Sequence, residues 1–394
     1  MSHKLINHSP DLKHLCDEGY GLEIRGVHLL LHDVPYVNGN REIKFGTLVS
    51  TLTLSAPEKA AKPETHVIHF NGELPCNYDG SLIQGLLLGS GNQTLDANHG
   101  ITINHSFSNK PANGFNDYFE KFTSYVRIIT GQAQAIDDKV TAKTFRVIES
   151  KDPDYPFHYF DTNSSRAEIV AISNKLEGRK IAIVGLGGTG SYVLDFVCKT
   201  PVREIHLFDG DGFLVHNAFR APGAASKAQL DAQQKKVKYL HDIYSNMHKH
   251  IIPHEFCLDE SNLEFLTGMS FVFVCIDDGA AKRPIIEKLV GSGIPFCDVG
   301  IGVQAVENTL TGSARITTGT ATKHDHIKER IAYHDAGGDD YSQNIQIAEL
   351  NALNAALAVI KWKKLIGFYH DLEKEHNAVY EINTNKIITD DTGS

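Results

Sequence analysis

The residues best equipped for chemistry lie between Val184 and Asp277. A glycine-rich turn, Gly185-Leu186-Gly187-Gly188-Thr189-Gly190-Ser191, comes first. Asp209-Gly210-Asp211 follows, then Asn217, Arg220 and Lys236, and finally Asp277. Closely spaced glycines bring backbone N–H groups against a phosphate at a helix start, where unpaired donors and the helix dipole favour an anion. An acid about 20 residues further on suits a ribose hydroxyl. Two cations and a later acid suit nucleotidyl chemistry, in which charge grows on the α-phosphate and on a leaving pyrophosphate and is met by cations, N–H groups and a divalent metal. Taken singly, each residue has a plainer explanation. Arg220 and Lys236 read as solvated surface charges, Asp277 as a helix N-cap, and the glycines as a tightly packed turn. It is their conjunction, in order, that points to a site.

The elements around them are legible from periodicity. Lys180-Ile181-Ala182-Ile183-Val184 and Glu204-Ile205-His206-Leu207-Phe208 read as strands, the first running into the glycine turn and the second into Asp209. Further strands near 250–256, 270–276 and 294–299 alternate with helical stretches. This is the pattern of an α/β fold with a Rossmann-like, doubly wound, mostly parallel sheet, whose ligands bind at strand C-terminal ends. The helix after the turn has Tyr192, Val193, Phe196 and Val197 on its buried face. No Lys-Ser/Thr closes the turn, so it is not a P-loop. The glycines alone do not separate an ATP site from that of a dinucleotide dehydrogenase.

The residues after the second strand do separate them. Asp209-x-Asp211, Asn217-x-x-Arg220, Lys236 and Asp277 together resemble the ThiF/MoeB/HesA superfamily, adenylating enzymes related to the activating enzymes of ubiquitin-like proteins. The resemblance covers roughly 160–370. It implies ATP and Mg²⁺, with the 185–190 glycines at the phosphates, Asp209 on the ribose and Asp211 holding the turn. It further implies Asn217, Arg220 and Lys236 at the polyphosphate (Lys235 being the neighbouring register), Asp277 on Mg²⁺, and Arg283 as a basic residue of the next helix. Ser164-Ser165-Arg166-Ala167-Glu168-Ile169 is similar to the family's entry segment, whose arginine reaches a partner subunit's ATP. Arg166 is then expected to act across a homodimer. The implied reaction is adenylation of the C-terminal carboxylate of a ubiquitin-like or sulfur-carrier protein ending in glycine, with a conjugating enzyme downstream in the first case. A catalytically idle nucleotide-binding scaffold is the reading from another class.

Two family features are missing. No cysteine occurs in 303–345, where ubiquitin-type activating enzymes carry their thioester residue, and no Cys-x-x-Cys pair offers a zinc site. The acyl group is left three acceptors: a partner's thiol or sulfide, a cysteine near the N-terminus (Cys76 or Cys16), or a hydroxyl among Thr309, Thr311, Ser313, Thr317, Thr318 and Ser342.

Residues 1–150 read as an α+β domain with strands at 27–31, 47–54, 67–70 and 101–104 and a helix from Asn116 to about Ile129. They resemble an uncharacterised domain that precedes bacterial ThiF-like domains in ubiquitin-like conjugation operons. The stretch His69-Phe70-Asn71-Gly72-Glu73-Leu74-Pro75-Cys76 resembles the catalytic turn of ubiquitin-conjugating enzymes, which marks Cys76 as a candidate acyl acceptor. His66, His69, His99 and His105 match no standard zinc spacing and read as hydrogen-bonded, partly buried histidines. Pro- and Asp-rich residues 151–165 read as a linker, 166–370 as the adenylation domain, and 371–394 as a hairpin and tail. The 394 residues carry a net charge of −10, which argues against nucleic acid as a partner. No apolar run is long enough to span a membrane. Six scattered cysteines suit a reduced, cytoplasmic setting.

Overall fold

The computed structural model describes residues 2–56, 58–333 and 345–392. They form two compact units: 1–152 with 159–170, and 153–158 with 171–394.

The first unit is an antiparallel sheet of β1 (Leu22–Arg25), β2 (His28–Val37), β3 (Ile43–Thr51), β4 (Val67–Asn71), β5 (Leu87–Asp96) and β6 (Ile101–Ser108), in the order β1-β2-β3-β4-β6-β5. Alternate residues Leu29, Leu31, Leu48, Ile68, Phe70 and Phe107 face a core shared with helix α2 (Tyr118–Gln134); α1 (Pro10–Asp17) packs beside it. Tyr118, Phe122, Tyr125, Ile129 and Ala133 recur every three or four residues along α2, and Asp117 caps it by accepting from Glu120 N. Lys121 on the same helix is fully buried and donates to Ser50 Oγ (2.8 Å) and Thr65 O (2.9 Å); burial lowers its pKa to about 8. The histidines bond to serines: His66 to Ser108, His69 to Ser106 and His105 to Ser90. No group of three or more His, Cys, Asp or Glu among the described residues is arranged to hold a metal.

The second unit is an eight-stranded sheet. Its parallel part comprises β7 (Lys180–Val184), β8 (Glu204–Phe208), β9 (Ile251–His254), β10 (Phe271–Val274) and β11 (Phe296–Val306). The antiparallel strands β12 (Thr309–Gly319), β13 (Asn377–Glu381) and β14 (Lys386–Asp390) extend it, giving the order β9-β8-β7-β10-β11-β12-β13-β14. The chain runs outward from β7 to β9, then returns to β10 on the other side of β7. The C-terminal ends of β7 and β10 therefore flank the switch point at which such sheets hold ligands. Both faces of these strands are covered, which is why they read as continuous apolar runs. On one face α4 (Gly188–Val197) and α7 (Ala348–Leu365) bury Val193, Leu194, Val197, Ala355, Ala358 and Trp362. On the other, α6 (Gly279–Gly291) buries Ile285, Ile286 and Leu289 against Val272, Val274 and Phe296.

The segment after the strand expected near 294–299, where the family's thioester residue would lie, begins as a hairpin. β11 and β12 form a hairpin closed by Glu307 (φ 47°) and Asn308 (φ 64°), a two-residue turn with both residues left-handed. Thr317 and Thr318 lie inside the sheet, at 0% and 1% exposure, and are not accessible acceptors. Ser342 lies outside the described residues. No helix among the described residues is long and apolar enough to cross a membrane.

Candidate functional site

A cavity of about 410 Å³ opens at the C-terminal ends of the parallel strands. All of its lining belongs to the second unit. β7 supplies its floor: at Gly185 the chain turns with φ 85°, and a Cβ there would meet Cys275 O at 2.8 Å. Glycine is therefore required by both conformation and space. At Gly190 an added Cβ would sit 1.9 Å from Gly185 O, so the loop folds directly onto the first turn of α4. No side chain caps α4. Its first-turn amides have no carbonyl of their own helix to meet and leave an anion-binding end at the cavity.

Asp209, at the end of β8, is 6% exposed. Its Oδ2 accepts from Leu186 N (2.7 Å) and its Oδ1 from Asp211 N (2.9 Å). The turn-holding expected of Asp211 is thus performed largely by the Asp209 carboxylate. Lys236, at the start of α5 (Lys236–Tyr244), lies 3.4 Å from both Asp209 oxygens and 2.8 Å from Asp211 Oδ2. This ammonium holds the Asp211 carboxyl below its ordinary pKa. The two neighbouring lysines point to different places. Lys236 lines the cavity, whereas Lys235 turns aside to Gly210 O.

Arg220 lines the cavity, and its Nε is buried with no hydrogen-bond partner among the described residues. Asn217 is 2% exposed; its Oδ1 accepts from Leu214 N (2.8 Å), and its Nδ2 is likewise without a partner. A buried donor left unpaired costs free energy, so the Arg220 Nε fits a site completed by an acceptor-rich ligand such as a polyphosphate; Asn217, expected there too, is not part of the cavity lining, and neither is Gly190. Asp277 follows β10 and lines the cavity, while the cap of α6 is its neighbour Asp278, which accepts from Ala281 N. The N-cap explanation of Asp277 therefore falls away.

The structure brings Gly185, Gly187, Gly188, Asp209, Asp211, Arg220, Lys236 and Asp277 to one cavity. Arg283 is elsewhere: it is exposed and paired with Glu287 (2.9 Å). Its neighbour Lys282 is the one that faces inward. Arg166 ends α3 (Thr162–Arg166) in the first unit, donates to Asp17 O (2.9 Å) and is not part of the lining. Cys76 is 4% exposed, its Sγ lies 3.5 Å from Leu74 O, and burial raises its pKa. Cys16 is pushed up to about 12 for the same reason. Neither meets the expectation of an acyl-accepting thiol, which needs an accessible thiolate.

Sequence reasoning passed over Lys282, Asn351 and Gln346. Asn351 Oδ1 accepts from Thr189 Oγ1 (3.0 Å), and its Nδ2 reaches Arg220 O (3.5 Å), tying the glycine loop to the Arg220 segment. Its signal was an asparagine on the apolar stripe of a helix. Lys282 could have been found by counting from Asp278 as cap, because 282, 285, 286 and 289 share one face.

Comparison with known proteins agrees with this architecture. A family model described as the ThiF family matches residues 165–377, and one described as a domain of unknown function (DUF6791) matches 10–162. Ubiquitin-like modifier-activating enzyme 5 of Drosophila mojavensis is 23% identical over 156 residues, 37% of this chain and 39% of that protein. Its Drosophila ananassae counterpart is 22% identical over the same shares. The chain thus spans about two fifths of the length of these relatives. Among solved structures, E. coli MccB with MccA-N7isoASN is 16% identical with a TM-score of 0.48, over 59% of this chain and 70% of that one. E. coli MccB with ATP is 17% identical with a TM-score of 0.46, over 58% and 71%.

Proposed function

This chain belongs to the ThiF family, whose model spans residues 165–377, and from that premise we propose that it adenylates the C-terminal carboxylate of a small ubiquitin-like protein. A carboxylate oxygen attacks the α-phosphorus of ATP. The bond from that phosphorus to the bridging oxygen breaks, its electron pair leaves with pyrophosphate, and an acyl-adenylate remains.

The observation that carries this reading is the buried Arg220 Nε, without a hydrogen-bond partner among the described residues, in the same cavity as Lys236, Asp277 and the open end of α4. The glycine turn and the α4 amides cradle phosphate oxygens. Arg220 and Lys236 meet the charge that grows on the α-phosphate and the leaving group. Asp209 keeps the Leu186–Asp211 framework in place and offers its remaining lone pairs to the ribose. Asp277 would hold Mg²⁺, an ion usually bound by one or two carboxylates together with substrate phosphates. When bound, that ion neutralises phosphate charge. Asp211 orients Lys236, and Asn217 holds the turn before Arg220 by accepting from Leu214 N.

Direct transfer to a thiol on a second protein fits what surrounds the cavity. Cys275 lines it, yet burial and then the nearby Asp298 raise its pKa, and Cys297 is buried and raised likewise. A conjugating enzyme is the proposed receiver. We also propose that the protein works as a homodimer in which Arg166 serves the other copy's site.

The test is ATP–pyrophosphate exchange with Mg²⁺ and a panel of small ubiquitin-like proteins as candidate carriers. Exchange that falls at least a hundredfold in a folded Asp277→Ala variant is expected. Absence of exchange with any candidate carrier, by protein that binds ATP, would sink the enzymatic reading.

A further inference from the structure

We propose that Lys282 forms a dedicated seat for the substrate's terminal carboxylate, separate from the phosphate-binding cations; this rests on the adenylation reading above. Asp298, on β11, is fully buried and carries two cations. Lys282 Nζ lies 2.8 Å from its Oδ1, and Arg315 Nη2 lies 2.7 Å from its Oδ2. These three groups taken by themselves sum to one positive charge, which an anion in the cavity can complement.

Lys282 is the member that faces the cavity, with only 7% of its side chain exposed. Its ammonium is close to Asp298 Oδ1 but off the hydrogen-bonding direction, for Oδ1 has no hydrogen-bond partner among the described residues. Among those residues Lys282 therefore retains donor capacity on the cavity side. Arg315 is committed behind it, to Asp298 and Thr317 Oγ1.

Strand order separates this charge from the phosphate cations. Lys236 is paired to Asp209 at the end of β8, and Asp298 sits on β11, with β7 and β10 between. Three strand spacings amount to roughly 14 Å. The same lining includes Gly300 and Ile301, which follow Asp298 along β11, and Gln346. Gln346 presents a buried Oε1 with no donor among the described residues. A phosphate offers acceptors alone, whereas a peptide terminus offers a carboxylate for Lys282 and an amide N–H for Gln346. The ligand class is a peptide C-terminus, and Asp298 and Arg315 are positioning residues that act through Lys282.

The test uses the full chain saturated with a non-hydrolysable ATP analogue. The probes are N-acetyl-glycylglycine, the smallest peptide carboxylate without a side chain, and its carboxamide; binding is measured by calorimetry. Wild type is expected to prefer the carboxylate. Lys282→Met is expected to weaken carboxylate binding about tenfold or more, erase that preference and leave nucleotide affinity unchanged. The double variant Lys282→Met, Asp298→Asn removes the cation together with the acid it balances, and covers the case in which the single variant misfolds. A folded variant that keeps the preference overturns the proposal. So does a loss of nucleotide affinity in Lys282→Met, which would assign Lys282 to ATP, and so does a wild type that binds nucleotide without preferring the carboxylate. Failure of wild type to bind nucleotide at all defeats the adenylation reading itself.

Discussion

Arg220 and Lys236 lie in the same cavity but should respond differently to removal. The Arg220 Nε has no protein partner among the described residues, so the fold has little invested in it. Arg220→Ala is expected to weaken ATP binding tenfold to a hundredfold while moving Tm by no more than about 2 °C, as nucleotide titration and thermal melts would show. Lys236 is the counter-ion of the buried Asp209. Removing one member of a buried pair costs about 3–5 kcal/mol, so Lys236→Ala should lower Tm markedly and abolish binding. Equal melting temperatures for the two variants would contradict this division. At this scale the sequence was informative wherever order along the chain carried the signal, as for Asp209, Arg220 and Asp277. It misled where side-chain direction decided. Lys282 and Arg283 are adjacent cations, and a helix turns one inward and the other to solvent; only the cap at Asp278 sets which.

The glycine turn with α4 is the element on which the site depends most. Gly190→Ala places a methyl against a backbone carbonyl that has no rotamer to relieve the clash. Loss of nucleotide binding together with a lowered Tm is expected, and a variant that melts and binds like wild type would count against the loop packing described. A second prediction concerns pH. His248 is fully buried; its Nε2 donates to Val202 O (3.0 Å) and its Nδ1 accepts from His250 N (3.2 Å). Burial lowers its pKa to about 4. The folded chain keeps this ring neutral down to about pH 4, whereas an unfolded chain protonates it below about 6.5. Acid therefore favours unfolding across that window, by about 3 kcal/mol at most. Urea melts between pH 7 and 4 should show this decline, and His248→Gln should flatten it. The parallel strands were legible because burial on both faces writes continuous apolar runs. The β11–β12 hairpin was not, because its outer half is largely solvated and turns at Glu-Asn without a glycine.

Each unit has its own core, and every cavity-lining residue lies in the second. Residues 153–394 expressed alone should melt cooperatively and bind ATP within about threefold of the full chain; loss of binding would show that the first unit completes the site. If Arg166 serves a second copy, mixing Arg166→Ala with Asp277→Ala chains should restore part of the activity that each lacks. No restoration, in chains shown to associate, would remove Arg166 from the mechanism. The boundary itself has a bearing on how such a gene can be rearranged. Residues 153–158 lie with the second unit and 159–170 return to the first, so the chain is interleaved rather than cut once. During synthesis the first unit cannot be complete until residue 170 has emerged, by which point a strip of the second is already made. A recombination joint at 152 would strand α3 and Arg166 on the wrong side. An N-terminal unit exchanged between relatives must therefore travel as two pieces, or as one that carries residues 153–158 of the other unit with it.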